Sequence, residues 1–181
     1  MKRAIVVFGH GPGISDAVAR RFGREGHPVA VVARNADRLA TAAKALAESG
    51  VNAKAFPCDV GDPAAVRALV KDARAALGPI GVLHWNAYAG LAGDLTTAPT
   101  DDLRKVLDVG VTGLVAAVQE ALPDLEAAKG AVLVTGGGFA FYDPKVDAMA
   151  TQLDAMGLAV AKAAQHKLVG VLHQKLAPKG V

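Results

Sequence analysis

The sequence predicts an α/β protein built on a parallel sheet with helices on both faces. Short apolar runs of strand length alternate with longer amphipathic segments of helical period, as in consecutive β-α-β units. Runs such as 4–8 and 29–33 are continuously apolar, which is typical of strands buried on both faces. Of the 181 residues 52% are hydrophobic. We therefore expect residues 1–181 to form one domain with a sizeable core.

Apolar patterning and cap residues place five strands and the helices between them. Helices are predicted to begin near Ile14 and Thr100 and after the N-cap residues Asn35 and Asp62. A last long helix is predicted from roughly Ala150 to Leu176. The predicted strands are Ala4–Phe8, Val29–Ala33, Ala53–Phe56, Ile80–Trp85 and Ala131–Thr135.

The first strand runs into a glycine-rich turn, which is the strongest functional signal in the chain. Gly9, Gly11 and Gly13 occupy this turn, and the helical pattern begins at Ile14. Glycine lets the backbone approach a ligand closely because it has no Cβ atom. The N-terminus of the following helix offers free N–H groups and partial positive charge, which suit a phosphate. The arrangement predicts a dinucleotide-binding turn, with a tight turn that binds nothing as the alternative.

Composition argues against several other classes of protein. The net charge is only +3 and aromatic residues make up 4% of the chain, so nucleic-acid binding has little support. No uninterrupted apolar run approaches the ~20 residues of a membrane-spanning helix. The five histidines show no metal-ligand spacing, so no metal site is predicted. The single cysteine, Cys58, is expected to be a buried, inert thiol and fits a reducing, cytoplasmic compartment.

Several motifs resemble those of the short-chain dehydrogenase/reductase family. The family's Thr-Gly-x-x-x-Gly-x-Gly signature is similar to residues 8–15, where Gly9 and Gly13 match and Ser15 replaces the last glycine. The family's Asn-Asn-Ala-Gly motif is similar to residues 85–88, with Asn86 and Ala87 retained and tyrosine in place of the glycine.

The resemblance runs from Ala4 to Val181 and implies a three-layer, Rossmann-like, doubly wound parallel sheet in strand order 3-2-1-4-5. Lys175–Val181 resembles the end of the family's active-site helix and the start of its sixth strand. The printed chain stops there, so its sheet would lack the family's last strands. A naturally short protein and a piece of a longer one are both compatible with this.

The residues after the second strand favour NADP(H) over NAD. An NAD site needs an acidic residue about 20 positions beyond the glycine turn, whereas this chain has Ala33 followed by Arg34. Arg34 could hold the 2′-phosphate of NADP(H), or it could be a solvated cation at the strand end. The cofactor-binding positions predicted here are Gly9, His10, Gly11, Gly13, Ile14, Arg34, Asn35, Asp59, Val60, Asn86, Ala87 and Lys162.

The resemblance places the family's catalytic lysine at Lys162, but its other catalytic positions carry different residues. The tyrosine position falls on Leu158, the serine position on the Gly136–Gly138 triplet and the helix asparagine on Gly110. Lys162 could act in catalysis or only bind the cofactor ribose. Tyr142 is the predicted replacement acid/base, because a lysine ammonium nearby would lower the pKa of its phenol. Packing within its own aromatic cluster is the alternative.

Two functions stay open. One is an NADP(H)-dependent oxidoreductase that acts on a small-molecule carbonyl or alcohol without the usual serine, tyrosine and asparagine. The other is a catalytically inactive NADP(H)-binding sensor, scaffold or partner subunit. The long helices after the fourth and fifth strands resemble the surfaces through which the family assembles, which implies a homodimer or homotetramer.

Overall fold

The computed structural model describes residues 2–181 and contains one five-stranded parallel sheet in the order β3-β2-β1-β4-β5. This order confirms the predicted doubly wound fold. The strands are β1 (Ala4–Phe8), β2 (Val29–Ala33), β3 (Ala53–Pro57), β4 (Ile80–Trp85) and β5 (Ala131–Val134). The helices are α1 (Ile14–Arg24), α2 (Ala36–Glu48), α3 (Pro63–Leu77), α4 (Thr100–Leu107), α5 (Gly113–Ala128), α6 (Pro144–Gln152) and α7 (Met156–Leu176).

Both faces of the sheet are covered, as the continuous apolar strands predict. On one face Ile5 and Val7 of β1 pack with Leu39 and Leu46 of α2. On the other face the large core cluster joins alternate residues of β1 and β4 to apolar residues of α3 and α5. All five residues of β1 are fully buried, so the turn that follows β1 starts from a strand packed on both faces.

The helical segment after β4 is interrupted, although its pattern predicts one helix from Thr100. A π-helical turn, Asp108–Thr112, separates α4 from α5. By length and composition alone the span Thr100–Ala128 could cross a membrane. Its α5 part nevertheless buries Leu114 and Leu125 in the core of this fold, so it is a core helix here.

The predicted helix Ala150–Leu176 is wrong in its extent, because the structure divides it into α6 and α7. Asp154 adopts a left-handed conformation with φ of +48° between them, which a continuous helix does not allow. The backbone N–H of Gly157 donates to the carbonyl oxygen of Ala92 at 2.9 Å. A Cβ atom at Gly157 would lie 2.7 Å from that oxygen, so glycine permits this close contact. The start of α7 is therefore set by a distant loop rather than by local pattern.

The end of the helix predicted within Lys175–Val181 is confirmed, while the start of a sixth strand there stays a prediction. α7 ends at Leu176, and Ala177–Lys179 form a 3-10 turn. The backbone N–H of Val181 donates back to the carbonyl oxygen of Leu176 at 3.3 Å. Val181 also packs against the main core cluster and lines a small pocket together with Val132 and Val134 of β5.

Candidate functional site

The glycine turn after β1 lies directly against the residues that follow β4. Gly9 has φ of +73°, and a Cβ atom there would lie 2.6 Å from the backbone of Ala87. Gly13, with φ of +98°, precedes α1, and among residues 2–181 no side chain caps this helix. The first N–H groups of α1 therefore face outward beside an uncrowded backbone, which suits an anionic group.

Ser15 connects the glycine turn to the end of β4, a role that the sequence motifs do not predict. Its side chain is buried, and its hydroxyl donates to the carbonyl oxygen of Gly9 at 2.9 Å. The side-chain amide of Asn86 donates to the same hydroxyl at 2.8 Å. Serine at the last glycine position thus joins the turn to the end of β4. A buried hydroxyl needs hydrogen-bond partners. A serine at a position where the family packs a glycine could therefore have indicated such partners from the sequence.

A cleft of about 500 Å³ opens beside this turn at the carboxyl ends of the strands. Exposed Arg34 lines it where β2 ends, and positions 33–35 carry no carboxylate. Asn35 caps α2 by accepting from the backbone N–H of Arg38 at 2.9 Å, which confirms its predicted N-cap role. Most of the predicted binding residues line this cleft: Gly9, His10, Gly11, Arg34, Asn35, Asp59, Val60, Asn86 and Ala87. Gly13 and Ile14 stand beside it at the start of α1.

Two titratable side chains in the cleft wall are held in their neutral forms. Burial lowers the pKa of His10, although Asp16, whose carboxylate lies 3.6 Å from Nε2, opposes the shift. Burial, reinforced by Asp59 and Asp62, raises the pKa of the Cys58 thiol to about 11. His10 therefore adds no positive charge to the cleft at neutral pH. Cys58 is half-buried rather than buried, and it stays protonated and unreactive.

Lys162 lies next to the cleft, in a small pocket that shares Ala87, Tyr88 and Ala89 with it. Its Nζ donates to the carbonyl oxygen of Thr135 at 2.7 Å and to Oε1 of Gln165 at 3.0 Å. Burial lowers the pKa of this ammonium. The sequence comparison did not single out Gln165.

The positions that carry other catalytic residues in the family surround Lys162 in this structure. Leu158 and Gly110 line its pocket. A Cβ atom at Gly137 would lie 3.6 Å from the lysine side chain. Leucine and glycine have no side-chain group that can donate or accept a proton. Lys162 is therefore the one residue among these four positions with such a group.

The two tyrosines lie in different surroundings. Tyr142 is 97% exposed, and it is absent from the residues within 2–181 that line the Lys162 pocket. Tyr88 is 63% exposed and lines both that pocket and the cleft. The structure therefore brings Tyr88, not Tyr142, to the neighbourhood of Lys162. The acid/base role of Tyr142 stays a prediction.

Comparison with known proteins adds sequence relatives to this geometry. The family model described as short chain dehydrogenase matches residues 3–181. An uncharacterized oxidoreductase of Staphylococcus aureus is 30% identical over 97% of this chain and 72% of its own length. Meso-2,3-butanediol dehydrogenase of Serratia marcescens is 33% identical over 86% of this chain and 64% of its own length.

Solved structures share the same architecture. A short chain dehydrogenase from Burkholderia cenocepacia in complex with NADP is 29% identical, with a TM-score of 0.86 over 98% of this chain and 70% of that one. An NADPH-bound short chain oxidoreductase from Pseudomonas aeruginosa, described as containing an atypical catalytic center, is 27% identical with a TM-score of 0.84 over 98% of this chain and 68% of that one. Together with the glycine turn and the strand order, these matches show that the chain belongs to the short-chain dehydrogenase/reductase family.

Proposed function

We propose that this protein is an NADP(H)-dependent oxidoreductase that reduces a small-molecule carbonyl or oxidises the corresponding alcohol. One observation carries the proposal. The glycine turn and the free N-terminus of α1 open into a cleft with Arg34 at its rim and no carboxylate at positions 33–35. Such a cleft offers donors to a pyrophosphate and a cation to a 2′-phosphate.

Each part of the cofactor has residues that suit it. The turn from Gly9 to Gly13 would hold the pyrophosphate, and Arg34 would hold the 2′-phosphate. Asp59 lies two residues after β3, beside the buried Val60, and would contact the adenine. Lys162 would donate to the hydroxyls of the second ribose. The NADP and NADPH bound by the Burkholderia and Pseudomonas neighbours support this assignment.

The cofactor supplies or accepts the hydride, so the chain itself must position the substrate and move a proton. Leu158, Gly137 and Gly110 offer no titratable group for that proton. A tyrosine close to Lys162 could supply it, since an ammonium nearby favours the phenolate. Tyr88 lines the Lys162 pocket and is therefore favoured over the exposed Tyr142. The atypical catalytic center described for the Pseudomonas neighbour supports a departure from the usual residues.

A non-catalytic NADP(H)-binding protein is the second candidate. Leu158 lines the Lys162 pocket where the family's tyrosine would stand. A leucine there leaves binding intact while removing the usual proton donor. This candidate predicts a bound cofactor that no carbonyl compound oxidises.

Single-turnover oxidation of bound NADPH separates these candidates. The full chain is mixed with NADPH and a panel of aldehydes and ketones, and the loss of NADPH absorbance is followed by stopped flow. We expect oxidation with at least one compound, and Tyr88→Phe is expected to lower its rate about 100-fold, as for removal of a general acid. Tyr142→Phe is the matched variant and is expected to change the rate by less than about threefold on the same grounds.

Two other outcomes of this experiment would change the assignment. A large loss in Tyr142→Phe alone would support the role predicted from the sequence. NADPH that binds but is oxidised by no compound in the panel would favour the non-catalytic candidate.

A further inference from the structure

Gln165 is a buried polar side chain that neither the sequence motifs nor the proposed chemistry accounts for. It is 2% exposed, one helical turn beyond Lys162 in α7. A buried amide is costly unless it is hydrogen-bonded, and both ends of this one are paired. Oε1 accepts from Lys162 at 3.0 Å, and Nε2 donates to the carbonyl oxygen of Gly110 at 2.9 Å. An ammonium only donates and a carbonyl only accepts, so the chemistry fixes which way the amide points.

The partner of Nε2 lies in the π-helical turn between α4 and α5. Helical carbonyls normally accept from the N–H four residues later, and π turns disturb that ladder. A Cβ atom at Gly110 would lie 3.3 Å from Cβ of Ala161, so glycine lets α7 approach the turn closely. Gly110 itself carries no side-chain amide, and the amide of Gln165 reaches its backbone carbonyl from α7.

We propose that Gln165 is a positioning residue for Lys162, because its amide bridges the ammonium to the Gly110 carbonyl. Gln165 accepts from one of the three ammonium N–H groups, and the carbonyl oxygen of Thr135 accepts from a second. These two acceptors fix the direction of the third N–H group, for which residues 2–181 provide no acceptor. Its use for a cofactor ribose rests on the proposed function, whereas the bridge itself does not.

The bridge also acts on the charge state of Lys162. Its two acceptors are neutral, and burial lowers the pKa of the ammonium. An amide oxygen stabilises the ammonium more than the neutral amine, so its loss would lower that pKa further. Two other titratable groups belong to this neighbourhood. Tyr88 lines the same pocket, and Nε2 of His84 lies 3.1 Å from the hydroxyl oxygen of Thr135.

The first test measures the pKa of Lys162 directly, without cofactor. Lysines of the full chain are labelled with ¹³C at Cε and titrated by NMR, and the Lys162 signal is identified by its loss in Lys162→Met. We expect Gln165→Met to lower the pKa by about one unit, since it removes one hydrogen bond to a charged group. Gln165→Glu retains an acceptor, adds a negative charge and is expected to raise the pKa. Gln174→Met, on the exposed side of the same helix, is the matched control and should leave it unchanged.

The second test measures NADPH binding by the same variants. Gln165→Met is expected to raise the dissociation constant about tenfold, and to add almost nothing when Lys162→Met is already present. An unchanged Lys162 pKa in both Gln165→Met and Gln165→Glu would overturn the positioning role. Failure of the wild-type chain to bind NADPH would instead contradict the proposed function, while the titration would still decide the role of Gln165.

Discussion

Replacing Arg34 with leucine is expected to raise the dissociation constant for NADPH at least about tenfold, the equivalent of one charge-assisted hydrogen bond. Arg34 is exposed at the rim of the cleft. Only NADPH carries the 2′-phosphate that it would hold, so NADH affinity should change by less than about twofold on the same reasoning. Both constants are measured by titration at one fixed ionic strength, because exposed charges are screened by salt.

Arg24→Leu provides the control, since it removes an equal charge at the C-terminal end of α1, away from the glycine turn. Arg24→Leu should change the dissociation constants for NADPH and NADH only slightly. Arg34→Asp should raise the dissociation constant for NADPH further than Arg34→Leu does, because it places a carboxylate where an NAD site has one. Equal weakening of NADPH and NADH by Arg34→Leu would show that Arg34 does not read the 2′-phosphate.

Gly9→Ala is expected to destabilise the fold by about 3 kcal/mol or more, the scale of a strained backbone combined with a steric clash. Its φ of +73° is unfavourable for alanine, and the new Cβ atom would lie 2.6 Å from the backbone of Ala87. That backbone follows β4 in the sheet and has little room to move. Urea unfolding measures the change in the free energy of unfolding.

Gly11→Ala is the matched substitution in the same turn. Gly11 does not have a positive φ, and a Cβ atom there would meet open space. Its free energy of unfolding should stay within about 0.5 kcal/mol of the wild type. Similar losses in the two variants would mean that the close contact between the turn and β4 does not constrain Gly9.

The fold was predictable wherever the pattern that determines it is local. β4 begins at Ile80 and ends at Trp85, as its apolar run predicts. Asp62 accepts from the backbone N–H of Ala64 at 2.8 Å, which confirms its predicted cap at α3. The break between α6 and α7 was missed because it depends on Ala92, far away in the sequence.

The residues of the candidate site were likewise predictable only where the signal is local. The turn and Arg34 could be proposed as binding residues from the sequence because motif and spacing lie within a short stretch of chain, and both line the cleft. Ser15 and Gln165 were missed because their partners, Asn86 and Gly110, lie 71 and 55 residues away. The placement of Tyr88 beside Lys162 likewise depends on the packing of α7 against the loop after β4.

Energy transfer from Trp85 to the bound nicotinamide gives the most direct test of the proposed cofactor cleft. Trp85 is the only tryptophan, and it lies buried at the end of β4 beside Asn86 of the cleft. Titration with NADPH should quench its emission saturably, with a dissociation constant at least about tenfold below that for NADH, as expected for one added ionic contact. Absence of saturable quenching by both cofactors, or NADH binding as tight as NADPH, would contradict an NADP(H) site.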